Sequence, residues 1–394
     1  MRNTKRFASL AALAMLGLVA AACGSDSTST STNAPGGTTA PGGTTAGTTA
    51  PAGTTAPDGT TAPTPSGDAP RVGLVYDTTG RGDQSFNDAA AAGLERAKNE
   101  LGVTFTEAVP NQDGSNRKEL LDLAAASSDI VIGVGFLFEA DAATVGKANP
   151  GKTFGVVDSS MLDFSTDPAG VPYGDNITGL VFSEEQGSFL VGAAAALKST
   201  TGKLGFIGGV KNVGGLIEKF EAGFKAGAKA VNPDIQIQAN YITEAPDFGG
   251  FTAPDQARDI ATAMYDGGAD VIYHAAGASG AGLFEAAKAS SDAKGTKLWA
   301  IGVDSDQYNT SDPAVKDYIL TSMLKRVDVA VFELIKSQMD GTVKGGPLRY
   351  DLSVDGVGYA TSGGFVDDIK DKLDAYKADI ISGKIVVPTD PTKA

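Results

Sequence analysis

From Arg71 onward the chain alternates two kinds of apolar pattern. Short runs dense in β-branched and aromatic residues fall at 72–76, 103–108, 129–134, 153–157, 177–182, 204–207, 235–241, 270–275, 297–303 and 319–323. Between them lie Ala-rich stretches of helical periodicity, at 86–101, 117–126, 139–148, 184–198, 217–231, 254–265, 283–289 and 327–339. Strands alternating with helices in this way predict βαβ units and parallel sheets, an α/β fold. Roughly 320 residues exceed what one hydrophobic core organises comfortably, so two doubly wound lobes with a hinge and an interlobe cleft are expected. The first lobe is placed at 70–182 with about 305–335, and the second at 183–304 with about 336–390.

The N-terminus follows a different pattern. Arg2, Lys5 and Arg6 precede an apolar run over 8–22 that is too short to span a bilayer, the order of a secretory signal peptide, here 1–22. Ala20, Ala21 and Ala22 lead directly into Cys23, the arrangement that a lipoprotein signal peptidase requires, although Leu or Val is more usual than Ala at position 20. The expectation is an exported protein, lipid-anchored through Cys23 to the outer face of the cell membrane. Residues 23–69 repeat Gly-Thr-Thr-Ala after proline and hold almost nothing apolar, so they read as a disordered tether. A coil of roughly 45 residues has a root-mean-square span of about 35–40 Å.

Composition then narrows the chemistry. Cys23 is the only cysteine, so with its thiol used as an anchor no disulfide, thiolate metal site or cysteine nucleophile is left. His274 is the only histidine, which rules out a multi-histidine metal centre within one chain. A net charge of −15 opposes nucleic acid and anionic lipid and favours a neutral or cationic small molecule. Neither a Gly-x-Ser-x-Gly elbow nor a Ser-His-Asp arrangement is present, so the chain reads as a binding protein, not an enzyme, with no cofactor.

Several motifs fall where ligands bind in open α/β sheets, beyond the carboxyl ends of strands. The first strand runs into Tyr76-Asp77-Thr78-Thr79-Gly80-Arg81-Gly82-Asp83-Gln84-Ser85-Phe86-Asn87, in which Ser85 is a suitable helix N-cap. Asp77 either accepts from a ligand or satisfies turn amides, and Phe86 either staples its helix or faces the cleft. Asp158 and Asp304 repeat the position of Asp77 at two further strand ends, and with Lys325 they are expected to form one rim of a sheet layer. Gly277-Ala278-Ser279-Gly280-Ala281-Gly282 follows a strand and allows close backbone approach to a ligand. His274, just before it, either packs in the core or touches the pocket. Residues 146–153 match the phosphate-loop pattern, but with a helix before and a strand after them the order is inverted, so they read as a turn.

Taken in order, Gly73-Leu-Val-Tyr-Asp-Thr, Asp83-Gln-Ser-Phe-Asn87, Glu185-Gln-Gly-Ser-Phe-Leu-Val-Gly192, Gly205-Phe-Ile-Gly-Gly209, the Phe220–Lys229 segment, Ala269–Gly277, Ile301–Gln307 and Leu320–Asp328 resemble the basic membrane protein family of PnrA-like solute-binding lipoproteins. The resemblance implies a type I periplasmic-binding-protein fold closing on a purine nucleoside, which it would deliver to an ABC permease and ATPase. It implies that Phe86 stacks on the base, that Asp77, Asn87 and Asp158 bond its polar edge, and that Gly280, Asp304 and Lys325 hold the ribose. Ser85 belongs to the same loop, and a second stacking ring would come from Phe136, Tyr273 or His274. The alternatives are a sugar or another polar ring compound as ligand, or a ligand-sensing surface antigen with no transporter. Arg81 is expected near the entrance.

Overall fold

The computed structural model describes residues 69–394; the expected signal peptide, Cys23 and nearly all of the expected tether lie outside these. Two six-stranded sheets form two lobes. In the first sheet, strands Arg71–Val75, Thr104–Ala108, Ile130–Gly133, Thr153–Val157 and Ile177–Phe182 all run parallel, with Gly346–Tyr350 added at the edge beside Ile177–Phe182. In the second, Lys203–Lys211, Gln236–Glu244, Val271–Ala275, Trp299–Asp304 and Ile319–Lys325 are parallel, and Val357–Tyr359 closes the edge antiparallel. In both sheets the first strand in chain order lies between the second and the third, the doubly wound order whose switch point opens a crevice at the strand carboxyl ends.

The lobe boundaries differ from the expectation in two places. Strand Ile319–Lys325, expected in the first lobe, pairs with Trp299–Asp304 in the second sheet. Residues Gly346–Tyr350, within the span expected in the second lobe and with no strand expected there, form a strand that pairs with Ile177–Phe182 in the first. The chain therefore changes lobes at Phe182–Glu184, at Lys325–Val327 and again after Tyr350. Sequential elements neighbour one another only as a tendency, and long-range strand pairing decided these two. Helix Val327–Met339 does belong with the first lobe, packing against Phe86–Leu101, where the Arg96 guanidinium lies 3.6 Å from the centre of the Phe332 ring.

In the second lobe, helices Glu184–Lys198 and Leu216–Val231 approach closely because glycine lines the crossing. A Cβ at Gly223 would fall 2.1 Å from the Glu185 carbonyl oxygen, and one at Gly227 would fall 1.9 Å from that of Phe189. The turn at 146–153 is a turn between helix Glu139–Ala148 and strand Thr153–Val157, as its inverted order required. Short elements that carry little periodicity, namely the hairpin Leu162–Asp163 with Val171–Pro172 and strand Val357–Tyr359, were not legible, nor was helix Lys370–Ile381.

Candidate functional site

The carboxyl ends of the two sheets meet at a cleft of about 640 Å³ of free space, counting solvent at its mouth. Asp77, Phe86, Asn87, Phe136 and Asp158 line it from the first lobe, and Asp304 and Lys325 from the second. The aspartates and Lys325 thus occupy two facing rims, not the single rim expected.

Asp158 directly follows the fourth strand of its sheet in chain order, and Asp304 ends the fourth strand of the other. Both adopt left-handed backbone, φ 65° and 64°, a conformation costly for a residue with a side chain and concentrated at functional sites. Lys325 Nζ lies 2.6 Å from Asp158 Oδ1 and 3.5 Å from Glu184 Oε1, with its side chain only 2% exposed. Burial alone would lower the lysine pKa, but Asp158, Glu184 and Asp304 outweigh it and hold the ammonium well above its ordinary value. The same ammonium lies 5.0 Å from the centre of the Phe86 ring, 5.1 Å from that of Phe182 and 5.6 Å from that of Phe220.

Burial pushes the carboxyls of Asp77 and Asp304 up to about 6. For Asp77 the Thr78 amide and the charge of Arg117 pull the other way, and for Asp304 Lys325 and the Ser85 hydroxyl do so. Asp77 lines the cleft, and its Oδ1 accepts the Thr78 amide at 2.9 Å, the turn-amide part of the two left open for it. Asn87 is locked, accepting the Asp77 amide at 3.2 Å and donating to Thr79 at 3.0 Å and to Asp83 at 3.1 Å.

Four expectations change. Ser85 neither caps its helix nor lines the cleft: its hydroxyl turns to Asp304 Oδ2 at 2.6 Å, and Asp83 caps instead, accepting the amides of Asn87 and Asp88. His274 is buried beneath the glycine loop, bonded through Nε2 to Gln307 Oε1 at 3.1 Å, and burial pushes its pKa down to about 4. Gly280 serves that packing, because a Cβ there would come within 2.0 Å of His274 Cε1; Gly277 and Ala278 line the cleft in its stead. Arg81 is drawn away from the entrance by Glu107 at 2.6 Å and Glu95 at 3.1 Å. Tyr273, the remaining ring considered, is fully buried against Phe224 and Phe206.

Several lining residues escaped sequence reading, Phe251, Leu216 and Ile217 among them, and two contributors stand beside the charged end. Phe220 lines the cleft from helix Leu216–Val231, and Glu184, at the first lobe crossing, reaches Lys325 from behind. Both sit within or beside the quoted family segments, but helical spacing alone does not say which apolar position faces a cleft.

Residues 69–391 match the family described as ABC transporter substrate-binding protein PnrA-like. The chain is 36% identical over 333 residues to the CD4+ T-cell-stimulating antigen of Listeria innocua, covering 81% of this chain and 88% of that protein. It is 33% identical over 331 residues to the ABC transporter nucleoside-binding protein BmpA of Lactococcus lactis, covering 81% and 89%. Among solved structures, an ABC transporter solute-binding protein from Aeropyrum pernix superposes with a TM-score of 0.67 at 26% identity, over 81% of this chain and 94% of that one.

Proposed function

The chain belongs to the PnrA-like family of ABC-transporter substrate-binding proteins, and on that premise we propose that its cleft captures a purine nucleoside and presents it to a membrane permease. The observation that carries this is the pairing of ring faces with a charged end. Phe86, Phe136 and Phe220 offer surfaces on which a base stacks, while Asp158, Asp304 and Lys325 gather acceptors and a donor suited to ribose hydroxyls.

Closure of the two lobes over the ligand is a hinge motion about the three crossings. Lipid attachment at Cys23 would keep the receptor beside its transporter at high effective concentration. If so, Cys23→Ser moves the protein from the membrane fraction to the medium or the soluble envelope fraction.

Thermal unfolding with adenosine, guanosine and inosine tests the ligand. A nucleoside at about 100 times its dissociation constant stabilises by roughly 2.7 kcal/mol, which raises Tm by a few degrees. If all three leave the curve unchanged while a sugar shifts it, the nucleoside reading fails. Mass spectrometry of small molecules carried through purification identifies the ligand without a panel.

A further inference from the structure

The cleft lining carries the carboxylates of Asp77, Asp83, Asp158 and Asp304 against one ammonium, that of Lys325. Lys325 is already engaged. Its Nζ lies 2.6 Å from Asp158 Oδ1, 2.8 Å from Asp158 Oδ2 and 3.5 Å from Glu184 Oε1, and Asp304 adds a third carboxylate to its field. Even with Lys219, 3.5 Å behind Glu184, this group holds three carboxylates to two ammonium groups. On the loop at 77–87, Asp77 and Asp83 line the cleft, and the charge of Arg117 acts on Asp77 from outside the lining. Arg81 on the same loop is drawn off by Glu95 and Glu107. Negative charge is therefore in excess at both ends of the cleft.

A phosphate monoester carries about −1.5 to −2 charges at pH 7, and proteins hold it with arginine, lysine or the free amides of a helix N-terminus. Helix Phe86–Leu101 begins at the cleft, but Asp83 accepts its Asn87 and Asp88 amides at 2.8 and 3.1 Å. Helix Leu216–Val231 also begins there, with Leu216 and Ile217 in the lining, and Glu218 places a carboxylate in its first turn. Both helix ends thus already carry an acidic side chain. A neutral nucleoside meets no such opposition, because its hydroxyl and amino hydrogens are donors to the same aspartates.

On the reading that the ligand is a purine nucleoside, we infer that the cleft refuses its phosphate esters on charge, so that hydrolysis of a phosphate monoester must supply the ligand. The exclusion holds whichever way round the nucleoside lies, since a phosphate at either end meets more carboxylate than cation. Asp77 on the first lobe and Asp304 on the second are the residues that set it, being the lining carboxylates with no cation bonded to them in the structure. In the supplying reaction, carried out by a separate enzyme, water adds to phosphorus and the bond from phosphorus to the ribose oxygen breaks. The products are the nucleoside, with its hydroxyl restored, and inorganic phosphate.

Calorimetric titration of the full chain with adenosine, its 5′- and 3′-monophosphates and 5′-O-sulfamoyladenosine tests this. The sulfamate ester is uncharged and close to the phosphate in size, so it separates charge from bulk. Both monophosphates should bind more than about a hundredfold more weakly than adenosine, and the sulfamate at least about tenfold more tightly than the 5′-monophosphate. A monophosphate that stays inside that hundredfold margin, or a sulfamate no better than the 5′-monophosphate, overturns the charge exclusion and leaves the nucleoside reading standing. Failure of adenosine itself overturns the reading, and this inference with it. Asp77→Asn and Asp304→Asn each remove one charge at matched size, and at least one should narrow the ratio of adenosine to monophosphate affinity by about tenfold. An unchanged ratio in both variants would mean that something other than these carboxylates keeps the phosphate out.

Discussion

Ser85 on the first lobe donates its hydroxyl to Asp304 on the second at 2.6 Å, so a residue that never lines the cleft joins its two walls. The contact is reinforced nearby: Ser305 donates to the Ser85 carbonyl at 2.9 Å, and Gln307 to the Gln84 carbonyl at 3.1 Å. We expect Ser85→Ala to weaken nucleoside binding by about tenfold, mainly through faster dissociation, because these bonds span the two lobes and would resist their separation around a bound ligand. Stopped-flow kinetics separates the two rates, and a change confined to association would argue against a closing role.

Proton uptake at Asp77 and Asp304 gives affinity and stability opposite pH dependence. Each carboxyl is raised from 3.8 to about 6 in the fold, so each binds its proton more tightly folded than unfolded. Their contribution to stability is therefore full below about pH 4 and is lost as the pH rises through about 6. A carboxylate that accepts from the ligand requires the reverse. Affinity should fall by about tenfold between pH 7 and pH 5 for each such group, and Asp304→Asn should flatten part of that profile. A pH-independent dissociation constant in the unaltered protein would rule out both carboxylates as ligand acceptors.

Phe86→Ala should cost about 1–3 kcal/mol of binding, the usual worth of one stacked base, with Tm little changed. A collapse of thermal stability would instead place the ring in the core.

Glu184→Gln removes one of the three carboxylates that hold the Lys325 charge while keeping side-chain volume. Lys325 keeps Asp158 at 2.6 Å, so the loss should be about 1–3 kcal/mol, read as a lower Tm. Lys219, 3.5 Å from the same carboxylate, would lose its partner too. Lys219→Met combined with Glu184→Gln should recover part of the loss, and a strictly additive double variant would mean that the two side chains are not coupled.

Gly280→Ala separates packing from ligand contact. The new methyl meets the buried imidazole of His274, so about 1–3 kcal/mol of stability should be lost. Nucleoside affinity of the remaining folded protein should hardly change.

Asp77, Asp158 and Asp304 could be picked out of the sequence because a polar residue ending an apolar run marks a strand carboxyl end, and that is where both sheets open. The direction of a side chain within a loop carries no such mark. Ser85 and Gly280 have the right types at the right spacing, yet one faces the opposite lobe and the other a histidine beneath it. The lobe boundaries failed for a related reason. Nothing local to Ile319–Lys325 or Gly346–Tyr350 says which of two similar sheets will accept it, and the register with partners far along the chain decides.

The edge strand Gly346–Tyr350 sets a clock on biogenesis. It completes the first sheet, but a chain emerging N-terminus first delivers it only after five strands of the second sheet have appeared. Until then Ile177–Phe182 stands as an open edge, able to pair with any strand that arrives early. The early lobe must therefore wait, incomplete, for the late one, and neither half of the receptor can be made as a contiguous fragment.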